Sequence, residues 1–588
     1  MSHPLIDDRL VDLLLRDVVD APSLTRLDAF ADHDAETFDL YLASCRRLAR
    51  DVLFDAYRPM DEAPPVLEDG RVRLHPSMRA IYSQLVELGV VAATRPFDVG
   101  GQQLPLTVAT LAHAYLMAAN LSATGIAWLT TGAAHLIEAF GDEATRERFL
   151  APMYEGRWTG TMALTEPQAG SSLADLTTTA TPADDGTYRI RGAKIFISGA
   201  DHDVAENVVN LTLARIEGAP QGTKGVSLFA VPRLRPEGDG LVGNDVHVTG
   251  LIHKIGWRGL PSLALSFGDE GHCVGWLVGA PHEGLKQMFQ MMNEARIMVG
   301  VNAAATASVA YHESLAYARE RKQGRPVGQR GGAPVPLVAH ADVRRMLLRQ
   351  KAIVDGSLCL CAVTARLQDL AHHGDAGERE RAQLLLDLLT PVTKSFPAER
   401  GFEANTLSIQ VLGGYGYTSE YLPEAWWRDQ KLNSIHEGTT GIQGLDLLGR
   451  KVVAKGGAAL RAFGDAVGGD VAAAREAGVA AERCDALEAA IQRVAGLTVT
   501  LGQRGLAGDV DGMLAHSADY LELFSILVVA WMHLKLETAV ADRDDDFARG
   551  LRHAARYWIA TELPRIAHLA QLCEDAEDSY ASMDPAWF

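Results

Sequence analysis

The sequence predicts an α+β multidomain fold: an N-terminal helical domain, a central β-barrel or sandwich domain, a helical-bundle domain and an additional C-terminal helical domain. Three observations carry this. The periodicity of apolar residues runs helical, β, helical, helical along the 588 residues. The length suits roughly three or four domains. Gly- and Pro-rich stretches fall where the texture changes. The expected boundaries are 1–157, 158–280, 281–455 and 456–588.

In the first segment, ETFDLYLASCRRLARDVLF and PSMRAIYSQLVELGVVAA place apolar residues three and four apart. Pro64-Pro65 and Gly100-Gly101 punctuate them. From about Trp158, short β-rich runs take over, among them TYRIRGAKIFISGA, NVVNLTLARI, GVSLFAVPRL and LALSFGD, separated by turn residues. Helical periodicity returns in GLKQMFQMMNEARIMVGVNAAATASVAYHESLAYARERK, in ADVRRMLLRQKAIVDGSLCLCAVTARLQDLAHH and around Gln383 to Leu412. The Gly-rich, basic GRPVGQRGGAPVP reads as a loop, and AKGGAALRAFG reads as a boundary before further amphipathic helices and an acidic tail.

Apolar residues make up 47% of the chain, enough for a sizeable core, and the formal net charge is -20. That balance argues against a general nucleic-acid binder, which usually carries a basic face. The first residues, MSHPLIDDRL, lack the basic and apolar regions of a signal peptide. No uninterrupted apolar window reaches membrane-spanning length; Leu521 to Leu534 comes nearest, so no membrane span is expected. Six scattered cysteines, including Cys359 and Cys361 on different sides of a helix, suggest reduced buried thiols and a cytoplasmic protein. No metal-ligand spacing, P-loop or Gly-x-Ser-x-Gly elbow occurs.

Six strings, in this order, resemble the acyl-CoA dehydrogenase family: MALTEPQAGSSLADL, KIFISGA, LKQMFQMMNEAR, ARERKQGR, QVLGGYGYTSEY and IHEGTTGIQGLDLLGRK. They span about 160 to 450, and the helical extension beyond them resembles the long bacterial subgroup of that family. The resemblance implies FAD-dependent α,β-dehydrogenation of an acyl-CoA thioester to the 2-enoyl-CoA. The α-proton goes to a protein base and the β-hydride to the flavin.

The base implied is Glu437. Abstraction of a proton α to a thioester requires a base held in a water-poor pocket, where burial and substrate raise a carboxylate's pKa toward the operating range. Taken alone, Glu437 also reads as an exposed carboxylate at a helix start. Some family members place the base just before an arginine on an earlier helix. Here that arginine is Arg296, and Ala295 before it has no acid–base group, while Glu294 points elsewhere on the helix. Gly438 lets backbone approach the substrate. Arg296 reads either as a CoA or active-site-loop contact or as a core salt bridge, and Ser171 joins the substrate contacts.

For FAD, the resemblance implies contacts from Met162, Leu164, Thr165, Gly170, Ser171 and Ser198, with Phe196 covering a flavin face where tryptophan is commoner. Phe196 also reads as ordinary strand core. Arg321 aligns with the arginine that meets the pyrophosphate. Gln410, Gly413 and Gly414 align with adenosine contacts that belong to the neighbouring subunit, so a homo-oligomer is implied and a homodimer expected. Thr439 and Gln443 complete the set. Gly441 departs from a common glutamine and His436 from a common tyrosine; His436 either tunes the base or fills the tyrosine's space.

Electron-transfer flavoprotein is the implied acceptor. Three other readings compete: an acyl-CoA oxidase using oxygen, a DNA-associated flavoprotein of the same superfamily, and a non-catalytic scaffold. After position 460 acidic residues outnumber basic ones roughly two to one, which disfavours phosphate binding. The acyl group itself, fatty or thioether-containing, has no signature in the sequence.

Overall fold

Asp69 and Gly70 both adopt left-handed backbone, φ 49° and 74°. The turn they form closes a hairpin of β1 (Val66–Glu68) and β2 (Arg71–Arg73) inside a region whose apolar spacing reads as helical throughout. An Asp-Gly pair supplies the two positive φ angles that a tight hairpin needs. This computed structural model describes residues 3–238, 240–329 and 331–588; the side chains of residues 289–292, inside the family-like string LKQMFQMMNEAR, lie outside the described residues.

The chain divides into two units, one comprising Asp39–Leu104 and Tyr115–Ala295, the other Met1–Phe38, Pro105–Ala114 and Arg296–Phe588. The first unit holds the remaining strands, β3 (Trp158–Ala163), β4 (Thr179–Pro182), β5 (Tyr188–Ser198), β6 (Asn207–Ile216), β7 (Val226–Pro232), β8 (Leu234–Glu237), β9 (Gly240–Gly243), β10 (Val246–Leu251), β11 (Ser262–Phe267) and β12 (Val274–Val278). Apart from the β8–β9 hairpin they form one mixed sheet in the order β10-β11-β5-β12-β7-β6-β3, with β4 pairing both β5 and β6. β3 runs parallel to β6, with Thr161 opposite Asn210. β6 and β7 are buried along almost their whole length, which explains why apolar residues in them are not confined to alternate positions.

The register between β11 and β5 slips: Leu263 faces Ile197, but Leu265 faces Lys194. β5 therefore carries an extra residue, a bulge, and Phe196 within it has φ 62° and is 61% exposed.

The second unit is helical. Ala341–His373 packs along Ala376–Leu412, and Ser517–Ala539 packs against both. Within the stretch AKGGAALRAFG, Lys455, Gly456 and Gly457 have φ 50°, 63° and 78° in succession, a break inside the helix Ala454–Glu476. All six cysteines are free and buried. Two helices, Leu106–Phe140 and Ser517–Ala539, are long and apolar enough to cross a membrane by length and composition. Isolated Thr, Ser, Asn and His residues interrupt their apolar runs without lowering the average much. In the structure 94% and 83% of those windows are buried, the pattern of core helices.

Candidate active site

The segment around Glu437 is shaped by its own helix. A 3-10 turn, Lys431–Ser434, leads into Glu437 at φ 53° and Gly438 at φ 87°, and the helix Thr440–Asp446 follows. Thr439 caps that helix, its hydroxyl accepting from Ile442 N at 3.4 Å. Gln443 Nε2 reaches back to donate to the carbonyls of Glu437 at 3.1 Å and Gly438 at 3.3 Å. A Cβ at 438 would lie 2.6 Å from that Nε2, so the tight loop and the folded-back amide both demand glycine. Gln443 Oε1 is buried without a hydrogen-bond partner.

Glu437 is half-buried. Burial pushes its carboxyl above the usual range, while Arg296 and Lys394 oppose the rise. Arg296 Nη1 donates to Asp446 at 2.9 Å, and both side chains are buried, so its charge is met within the protein. His436 is held neutral: burial, with Lys394 nearby, lowers its pKa to about 3. It therefore carries no charge toward the base at neutral pH. Lys394 is fully buried and lies in none of the six family-like strings, so the sequence does not single it out.

Elsewhere in this unit, Arg321 follows the helix Gly284–Glu320, exposed, with no ion-pair partner among the described residues. Gln410 is exposed and its carbonyl accepts from Gly413 N. Gly413 has φ 61° and ψ -132°, a backbone conformation open essentially to glycine alone, and a Cβ at 413 or 414 would meet nothing within 4 Å. Tyr317, Tyr415 and Tyr421 make edge contacts beside this corner. Aromatic spacing gave no hint of that cluster.

In the β-containing unit, β3 delivers Met162 and, just past its end, Leu164 and Thr165. Glu166 and Ala169 close a turn through paired backbone bonds of 3.0 Å, leaving Gly170 and Ser171 exposed. Lys194 Nζ donates to Leu164 O at 3.0 Å and Ile195 N to Thr165 O at 2.9 Å, riveting the loop to β5. The hydroxyls of Thr165, Ser171 and Ser198 make no hydrogen bond among the described residues, and Thr161 Oγ1 donates to Ser198 O at 2.6 Å. In the β-containing unit the exposed Phe196 ring and the free hydroxyls suit a ligand with an aromatic ring system and polar edges, and in the helical unit the exposed Arg321 guanidinium suits a phosphate. Among the described residues no cluster of metal-ligating side chains occurs.

Comparison with known proteins agrees. Residues 43–157, 161–269 and 282–452 match the acyl-CoA dehydrogenase N-terminal, middle and C-terminal domains, and residues 463–584 match an acetyl-CoA dehydrogenase C-terminal-like domain. The chain is 39% identical to 3-methylmercaptopropionyl-CoA dehydrogenase of Ruegeria pomeroyi over 79% of each chain. It is 32% identical to the broad-specificity linear acyl-CoA dehydrogenase FadE5 of Mycobacterium tuberculosis over 95% of each. An acyl-CoA dehydrogenase complexed with FAD from Bacillus anthracis shares the fold at TM-score 0.75 and 18% identity, covering 96% of this chain and 92% of that one. With identity of this order sustained along most of its length, the chain belongs to the acyl-CoA dehydrogenase family.

Proposed function

We propose that this enzyme dehydrogenates an acyl-CoA at Cα–Cβ, with Glu437 taking the α-proton. One observation carries the reading: the family-matched carboxylate sits half-buried on a left-handed turn fixed by Gln443, with burial raising its proton affinity and two cations restraining the rise. Burial leaves such a base poorly solvated while the two cations favour its carboxylate form, the condition for abstracting a weakly acidic carbon-bound proton.

FAD fits the features described, and when bound it supplies the acceptor for the β-hydride. Phe196 would lie against the ring system; Met162, Leu164, Thr165, Gly170, Ser171 and Ser198 would hold its polar edge. Arg321 would meet a phosphate, with Gln410, Gly413, Gly414, Thr439 and Gln443 toward the adenosine end. Gly438 and Ser171 serve the acyl-CoA, and Arg296 acts through Asp446 and the field it casts on Glu437. Electron-transfer flavoprotein is the acceptor in this reading, and the enzyme is a homodimer, which light scattering tests directly.

The decisive experiment is a panel of acyl-CoAs with a dye acceptor, run on wild type and Glu437→Gln. The variant should keep its yellow flavin and lose about 10²–10⁴-fold in turnover. A Gln variant that turns over normally removes Glu437 from the chemistry.

A further inference from the structure

Lys394 lies mid-way along the helix Ala376–Leu412, between Pro391 and Pro397. Its side chain is 0% exposed, and Nζ is buried without a hydrogen-bond partner. An ammonium in that condition is costly to retain unless surrounding charge compensates it.

The packing shows which charges do. A Cβ on Gly300 would lie 2.1 Å from Thr393 O, so the helix Gly284–Glu320 meets this helix backbone to backbone immediately before Lys394. Arg296 is four residues earlier on that helix, hence on the same face. Gln430 Nε2 donates to Ala303 O at 3.2 Å and Pro397 O at 3.0 Å, and Asn302 Nδ2 donates to Asn433 Oδ1 at 2.8 Å. The stretch entering Glu437 is thus tied to both helices at this level. Facing Lys394 are Glu399 from its own helix, exposed and accepting from the Thr440 hydroxyl, Glu437 and neutral His436 from the loop, and Arg296 from the facing helix. Asp446 neutralises Arg296 and also pairs with Arg450. Lys394 is then the buried cation of this cluster, among the described residues, whose charge no direct contact meets.

We propose that Lys394 is a positioning residue for the dehydrogenation, its unpaired ammonium supplying the positive field that keeps the Glu437 carboxylate in its proton-accepting form. Burial draws Lys394 down to about 8, so it stays charged through neutral pH. When Glu437 accepts the α-proton the pair loses its mutual attraction. Loss of that proton to solvent restores it, so each turnover ends with the base re-ionised. The proposal rests on Glu437 being the base.

The test is kcat/KM against pH, with an acyl-CoA and a dye acceptor, for flavin-loaded wild type and the variants Lys394→Met, Lys394→Gln and Lys394→Arg. Met and Gln should move the acidic limb upward by about one pH unit, a tenfold loss below it, and Arg should leave the limb near wild type. A limb that stays put in the folded Met or Gln variant overturns the proposal, even if kcat falls evenly across pH, as does an equal upward shift in the Arg variant. If the Met variant does not fold, the Gln variant reads the same limb. Normal turnover by Glu437→Gln would instead sink the base assignment itself; an unmoved limb beside an inactive Glu437→Gln sinks only the role of Lys394.

Discussion

Lys194 Nζ donates to a carboxylate oxygen of Glu166 at 2.8 Å, and the two side chains are 0% and 1% exposed. Glu166 also accepts from the backbone N–H and hydroxyl of both Thr177 and Thr178, and from Gln168 Nε2. One carboxylate therefore joins β5, the loop after β3 and the approach to β4. Burial pushes Glu166 up, but Lys194 and the hydroxyl and amide donors outweigh it and bring its pKa to about 2.

Breaking this pair should be expensive. Lys194→Met leaves a buried carboxylate without its cation, and about 3–5 kcal/mol of stability should be lost in urea unfolding, with flavin retention falling alongside. The pH sense follows from the depressed carboxyl. Its stabilisation is complete above the unfolded value of 4.5 and is lost as pH falls toward about 2. Glu166→Gln should flatten the wild-type decline in that window; parallel curves would mean that Glu166 is not depressed.

Phe196 tests the bulge. A bulky residue at φ 62° is strained by about 1 kcal/mol or more. With Phe196 61% exposed, packing in the flavin-free chain offsets little of that. Phe196→Gly should stabilise the flavin-free protein in thermal melts yet weaken FAD binding by about tenfold, a loss on the scale of one aromatic contact. Phe196→Trp should keep the affinity. Unchanged FAD binding in the Gly variant would detach this ring from the flavin.

The contrast between Glu437 and Lys394 shows what the sequence exposes. Glu437 lies in a string whose residues constrain one another locally: Gly438 makes room for Gln443, and Thr439 caps the helix that Gln443 belongs to. Such short-range dependence survives as a motif. Lys394 stands singly in an ordinary helical run, and its surroundings come from Gly300 and Thr393 brought near by packing; Lys194 opens the string KIFISGA, but nothing local to that string announces its partner Glu166. The bulge at Phe196 exists only relative to β11, so strand periodicity alone does not show it. The β1–β2 hairpin was partly legible, since Asp69-Gly70 is a turn signal, but its strands are three residues each, too short to break the helical pattern around them.

The helices beyond residue 456 are held by charge as well as by apolar packing. Glu562 is 3% exposed and is met by Arg349, by Arg565 at 2.9 Å and by Arg400 at 3.8 Å. Arg400 and Arg565 share Glu522, each at 2.7 Å. Glu562→Gln should cost about 3 kcal/mol in denaturant unfolding, because it removes the buried carboxylate on which Arg349, Arg400 and Arg565 converge. Glu522→Gln, at a 37% exposed carboxylate, should cost about 1 kcal/mol or less. Equal losses would show that burial does not set the worth of these bridges.

Asp369 offers a pH test of opposite sign. Its carboxylate is buried and caps the start of the helix Leu106–Phe140, accepting from Leu106 N at 2.8 Å, Thr107 N at 2.9 Å and Thr107 Oγ1 at 2.6 Å. Burial outweighs those bonds and raises its pKa to about 6, from 3.8 when exposed. Between those values the folded protein binds a proton that the unfolded chain does not. The contribution of Asp369 is therefore greatest below about 3.8 and is lost as pH rises through 6, by up to about 3 kcal/mol. Asp369→Asn keeps one acceptor and cannot titrate. Across pH 4 to 6 its urea midpoint should gain on that of wild type, and above about pH 7 the difference should be constant. Subtracting the two curves removes every other group, including Glu166 with its opposing trend at lower pH. A difference that does not change with pH would mean that Asp369 stays ionised throughout, its three donors outweighing burial.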